Sequence, residues 1–238
     1  MPKIFPLDLL TNSVVNLRQE VKPGQFSIGT GTFIANGADL YLWTAEHVAI
    51  AMQLNCQFIV KGPNDTPLVL TIDDLTQQTV AIPWVIHKEA DIAILKLNPK
   101  PPLLTTSLLN RFLPLDNIYK DKKAVDRNTT LTVIGFPNGL GAIGHFSPLT
   151  FRTYASSGLI TLARFDNGKP CSFIIMENPG VGGYSGGPVI DISIVQNMGM
   201  TMTGGGTLVH GILHGTISDQ TGGKLAAVTP SYYLFDII

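Results

Sequence analysis

Residues 180–189 read GVGGYSGGPV, one serine, Ser185, among five glycines and a proline. Glycine adopts positive φ at no steric cost, so this density marks a backbone bent into a shape that other residues resist. A turn of that kind can aim two N–H groups at one point. Here they would be the N–H groups of Gly183 and Ser185, next to the Ser185 hydroxyl. A hydroxyl is a weak nucleophile near neutral pH. It needs a base within hydrogen-bond reach, and that base needs a third group to fix its tautomer. Taken alone, the stretch reads equally well as a glycine-rich surface turn.

Two other stretches supply candidates for the missing groups. In GTGTFIANGADLYLWTAEHVA, residues 29–49, a strand of small residues turns into a second strand that ends at Thr44-Ala45-Glu46-His47. A lone histidine is more often a satisfied polar group than a catalyst. In HKEADIAILKL, residues 87–97, Asp91 opens an apolar strand. A carboxylate there is partly buried and needs a partner, although by itself it is also an ordinary strand cap.

The rest of the chain reads as short strands. With 24 Gly, 16 Pro and only 14% charged residues among 238, the composition excludes a disordered chain and a helical bundle. The runs QFSIGTGTFIA, DLYLWTA, CQFIV, PLVLTI, TVAIPWVI and DIAILKL fill the first half. TTLTVIGFP, SSGLITLA, PCSFIIMEN, GPVIDI, TLVHGILHGTI and KLAAVTP fill the second. Between the halves, NPKPPLL is too rich in proline for a central strand and reads as a linker. The expected architecture is all-β, with two antiparallel barrels over residues 1–105 and 106–238. Only AEHVAIAMQL and the tail PSYYLFDII look helical.

A net charge of −1 gives no basic face for nucleic acid, and KDKK at 120–123 reads as a solvated loop. No stretch is long enough to span a membrane, and the N-terminus lacks a signal-peptide pattern. Cys56 and Cys171 are then expected to be reduced thiols in a cytoplasmic protein, buried as small hydrophobes. No HExxH, Cys/His cluster or carboxylate-rich loop calls for a metal, and no cofactor is expected.

The order His47, Asp91, Ser185 resembles that of the chymotrypsin-like (trypsin-fold) serine peptidases of bacterial type. TAEHV is similar to that family's TAxHV box, ADIAIL to its DIAxL box and GYSGGPV to its GxSGGP box. GTGTFI, LTVIGFPNG, LVHGIL and AAVTPSYYLFDII echo its further segments, so the likeness runs from about Gly29 to Pro230. The resemblance implies two Greek-key barrels packed face to face, a short C-terminal helix and a serine endopeptidase acting through an acyl-enzyme. By the same likeness, Ser185 attacks, His47 is general base then general acid, and Asp91 orients His47. The Gly183 and Ser185 N–H groups form the oxyanion hole. The substrate would be a protein or peptide.

Where the chain departs from that family, the expectations open. Tyr184 stands where digestive relatives carry the aspartate that anchors a new N-terminus, so that activation route is excluded. The enzyme is then active as made, or controlled by a regulatory partner, by oligomerisation or by a mobile loop. The specificity pocket is expected from Pro179, Leu213, His214, Gly215 and Thr229. No acidic residue lies between Asn178 and Ser185, so selection of Arg or Lys is unsupported and an apolar or small pocket is preferred. His87, His145 and His210 are read as structural or surface residues. Two alternatives remain: a catalytically silent binding protein on the same fold, and a polyprotein-processing peptidase. The starting Met1 and compact ends weigh against the latter.

Overall fold

The computed structural model describes residues 2–197 and 200–238. Seven strands, β1 (Val14–Lys22), β2 (Gln25–Asn36), β3 (Asp39–Thr44), β4 (Gln57–Lys61), β5 (Pro67–Leu70), β6 (Trp84–Ile86) and β7 (Ala93–Leu97), make the first antiparallel sheet. Their order is β5-β4-β1-β2-β3-β7-β6. A short β8 (Leu113–Pro114) adds to it, running parallel to β2.

The second half contributes β9 (Leu131–Gly135), β10 (Leu149–Thr153), β11 (Ala155–Ala163), β12 (Pro170–Met176), β13 (Pro188–Asp191), β14 (Ile194–Asn197), β15 (Met200–Thr203), β16 (Leu208–Ser218) and β17 (Lys224–Pro230). Its main sheet is ordered β10-β9-β13-β16-β17-β12-β11, and β14-β15 form a separate hairpin. Two antiparallel sheets of this kind are those of the chymotrypsin-like double β-barrel. The hydrogen-bonded path of each is open at its ends rather than closed.

The helices are short: α1 (Leu7–Asn12), α2 (Glu46–Ala51), α3 (Ile72–Thr76) and α4 (Pro101–Thr106). α4 corrects the reading of the proline-rich stretch as a plain linker. Pro101 and Pro102 occupy its opening turn, where a missing N–H costs nothing and a fixed φ is already helical. The C-terminal helix is 3-10 in form, Ser231–Asp236. β1 is a strand the hydrophobic pattern did not disclose. It pairs with both β2 and β4, and the amide nitrogen of its buried Asn16 donates to the Gly29 carbonyl at 3.2 Å.

One core runs through both sheets. Leu17, Phe33 and Trp43 of the first share a buried cluster with Phe136, Phe173 and Ile212 of the second. A smaller cluster, including Leu131, Val133, Ile174, Tyr184 and Val228, belongs to the second sheet alone. Among the described residues no helix is long and apolar enough to cross a membrane.

Candidate active site

His47 reaches its place because β2 is nearly bare where α2 crosses it. A Cβ on Gly29 would lie 2.3 Å from a Val48 methyl, so only glycine lets the helix sit this close. From there the His47 Nδ1 and an Asp91 carboxylate oxygen, Oδ2, lie 2.7 Å apart. The His47 backbone N–H donates to the other oxygen, Oδ1, at 3.0 Å. Asp91 is fully buried, whereas the His47 side chain keeps 27% of its surface open. Burial opposes charge on both groups. On Asp91 that penalty is outweighed by hydrogen bonds from His214 and His47, which hold its pKa well below the carboxylate range. On His47 it is outweighed by the hydrogen bond and charge of Asp91 together with the charge of Asp166, so its pKa lies above the usual 6.5.

Ser185 sits between β12 and β13, on a turn docked against the first sheet. Thr30 of β2 is the anchor. Its N–H donates to the Ser185 carbonyl at 2.8 Å and its hydroxyl to the Gly183 carbonyl at 2.7 Å. Gly186 has φ +80°, and a Cβ there would lie 2.2 Å from the Thr30 carbonyl oxygen. Gly183 has φ +102°, and a Cβ there would lie 2.3 Å from the Phe136 carbonyl oxygen. Among the described residues, neither the Gly183 nor the Ser185 N–H donates to a protein acceptor. Gly183→Ala is therefore expected to push the turn off Phe136 and misaim its donor, lowering kcat by about 10²–10³-fold. Single-turnover kinetics on an activated peptide ester checks this.

Tyr184 settles what replaces the family's ion pair at that position. Its ring is buried in the second core cluster and meets Phe151 edge-on, with centroids 5.1 Å apart. Its N–H closes the turn onto the Val181 carbonyl at 3.1 Å. At this position apolar packing of the Tyr184 ring, beside the Thr30 hydrogen bonds, holds the serine turn where digestive relatives use an ion pair.

The Ser185 hydroxyl donates to the backbone carbonyl of His214 at 3.3 Å. Among the described residues no hydrogen bond joins it to His47. Catalytic contacts of this kind are often unformed until substrate is bound.

Of the five residues expected in the pocket, Leu213, His214 and Thr229 are 1%, 3% and 0% exposed, whereas Pro179 is exposed and Gly215 half-buried. The strand is covered on both faces: Leu213 packs in the second core cluster, the His214 ring lies against Phe165 and Phe173, and the pairing of β16 with β17 shifts register between Leu213 and Gly215. Leu213 packs beneath Gly180, and His214 goes to Asp91. The two pocket walls are tied by Thr216, whose hydroxyl donates to the Gly180 carbonyl at 2.8 Å.

His214 is thus a second histidine on the candidate triad aspartate. Its Nε2 accepts the Phe165 N–H at 3.3 Å, which leaves the hydrogen on Nδ1, and Nδ1 donates to Asp91 Oδ2 at 2.5 Å. Sequence reasoning missed this role, as it missed Thr30 and Arg164. The glycine-spaced GTGT of β2 was the one available signal for Thr30. His87 shapes the loop before Asp91, its Nδ1 accepting the N–H groups of Glu89 and Ala90 at 3.1 and 2.8 Å.

Two groups of side chains are close enough to invite a cation, His47-Asp91-His214 and Glu46-Asp91-Asp166, each with ligand atoms within 4.8 Å of one another. The second already surrounds the Arg164 guanidinium. In the first, N···O separations of 2.5 and 2.7 Å are those of direct hydrogen bonds, leaving no room for an ion with ligands at about 2 Å. Cys56 and Cys171 are buried free thiols, and burial pushes Cys56 up to about 12.

No curated relative matches the chain in sequence. Among solved structures, the Rv3671c protease of M. tuberculosis in an active form is similar, at 16% identity and a TM-score of 0.58 over 99% of this chain and 86% of that one. A serine endoprotease from Yersinia pestis gives 15% identity and a TM-score of 0.54 over 97% of this chain and 62% of that one. Deg5 gives 16% identity and a TM-score of 0.56 over 97% and 90%. At such identities these likenesses concern the fold. A family profile described as a trypsin-like peptidase domain matches residues 29–200. That span takes in the strand before His47, Asp91 and the whole serine turn, and the chain belongs to the trypsin-like peptidase family.

Proposed function

We propose that this protein is a serine endopeptidase that cleaves a protein or peptide substrate through an acyl-enzyme on Ser185. The observation that carries the reading is the imidazole of His47 held by a buried, ionised Asp91 while its outer edge stays open. On this reading His47 takes the Ser185 proton as the hydroxyl attacks and returns it to the leaving amine. Asp91 stabilises the imidazolium. The unbonded Gly183 and Ser185 N–H groups receive the negative charge that develops on the carbonyl oxygen. With Pro179 and Gly215 as the reachable walls, the pocket favours a small or apolar side chain. Two buried free thiols support a reducing, cytoplasmic setting.

One observation favours a second reading. The Ser185 hydroxyl points at the His214 carbonyl rather than at His47, as it would in a silent scaffold or in a resting enzyme awaiting a partner. Intact mass after incubation with a fluorophosphonate separates them. One adduct on the wild type and none on Ser185→Ala is the expected result. No adduct on either protein would overturn the peptidase reading for the isolated chain.

A further inference from the structure

Arg164 directly follows β11 of the second sheet, yet its side chain is fully enclosed. A guanidinium has five N–H donors, and all five find acceptors here. Nε and Nη2 grip both oxygens of Asp166, at 3.0 and 2.6 Å. Nη1 meets Glu46 Oε2 at 2.6 Å and the Glu89 carbonyl at 3.1 Å. Nη2 also meets Asp91 Oδ1 at 3.3 Å. Glu46 precedes His47, and Glu89 and Asp91 bracket the opening of the apolar strand. One side chain from the second sheet therefore holds both segments of the first that bear the imidazole and its carboxylate.

A buried charge cluster is a poor way to stabilise a fold, since apolar residues of similar volume often do as well or better. Its value is therefore sought in what it positions. The geometry points to Arg164 as a positioning residue: in a single guanidinium it fixes the segments carrying His47 and Asp91 to the second sheet, and with them the orientation in which Asp91 holds the imidazole. This inference rests on the reading of His47 as the base. It adds that the base and its orienting partner are assembled across the sheet interface, by the loop at residues 164–169. The same loop lends the Phe165 N–H to His214, so it touches the Asp91 carboxylate twice, once directly and once through a histidine.

The charges make the inference testable. Asp91, Asp166 and Arg164 act on the His47 ring, and His214 faces it edge-on with centroids 5.6 Å apart. Glu46 lies behind it on Arg164, and the Cys171 thiol faces the Asp91 and Arg164 side. Asp166 raises the proton affinity of His47 and Arg164 lowers it. Charge alone gives each of these effects its sign, so a positioning role shows in what happens to the Asp91–His47 contact when Arg164 is removed.

The test is a ring-proton NMR titration of His47 in the full chain, with the pH dependence of fluorophosphonate labelling alongside. Asp166→Asn is expected to lower the His47 midpoint by about half a pH unit. Arg164→Met is expected to lower it too, because an Asp91 carboxylate released from its orientation holds the imidazolium less well, although the lost charge by itself would raise it. Arg164→Lys is expected to return it towards the wild type. Above the midpoint, Arg164→Met is expected to label about 10-fold more slowly, with the affinity of the reversible step unchanged. An Arg164→Met midpoint that stays put, or that rises as the lost charge alone would make it, overturns the inference. So does an Arg164→Met protein labelled at the wild-type rate. If Arg164→Met does not fold, Asp166→Asn decides, because Asp166 is a loop residue with an exposed edge; an unmoved midpoint there is equally fatal. A wild type that takes no label but shows both shifts would refute the peptidase reading and leave the positioning role standing.

Discussion

Ser185→Ala is expected to lower kcat by about 10⁶-fold on any substrate the wild type cleaves, while leaving the fold in place. The size of the loss follows from what the residue would do. Without the hydroxyl no acyl-enzyme forms, and His47 and the two turn N–H groups have nothing to activate. The fold should survive because the hydroxyl makes one long hydrogen bond, to the His214 carbonyl, and the turn is held by Thr30, Gly186 and the ring of Tyr184 instead. Turnover of an activated peptide ester, with a thermal melt on the same sample, checks both halves. An alanine variant that still cleaves would place the nucleophile elsewhere.

Asp91→Asn is expected to cost about 10⁴-fold in kcat with little change in substrate binding. The Asp91 carboxylate is surrounded by donors only: the His47 N–H and Arg164 on one oxygen, the Nδ1 groups of His47 and His214 on the other. An amide puts its own donors against one of these sets, so a histidine must flip its tautomer or lose its partner. The pH profile carries a second signature. A base is lost as pH falls through its pKa, and that of His47 lies above the usual 6.5 because Asp91 offsets its burial. The wild-type acid limb of kcat/KM is thus expected above pH 6.5, and in Asp91→Asn it should move down. A profile fixed in both proteins would mean that His47 is not the titrating base.

His47, Asp91 and Ser185 were legible because each lies in a short box with its own local physics, small residues before a helix, an acid before an apolar strand, glycines around a hydroxyl. The residues that were not legible act only across the fold. Arg164 meets Asp91 from 73 positions away and His214 from 123, and no local pattern announces either contact. The burial of Leu213 and His214 was not legible for a different reason. Leu213 and His214 point into different surroundings, the second core cluster and the Phe173 ring, and both are buried because β16 is covered on its two faces, which the sequence around them does not announce. β1 escaped notice because Asn16 and Gln19 are polar yet buried, their amide nitrogens donating to partners that only the folded chain provides. At α4 the prolines do rule out a central strand, but they suit the opening turn of a helix, so the stretch is more than a linker.

The core that passes from Leu17 and Trp43 into Phe173 and Ile212 has a thermodynamic consequence. Neither half can open without exposing apolar surface that belongs to the other, so the halves should share one unfolding equilibrium despite the seam between them. A single calorimetric transition, with van't Hoff and calorimetric enthalpies in agreement, is the expected record, and two resolved transitions would show the halves to be independent. Any agent that parts the sheets enough to disturb Asp91 would then act on the stability of the entire chain, which makes the melting temperature itself a gauge of how firmly the site is held together.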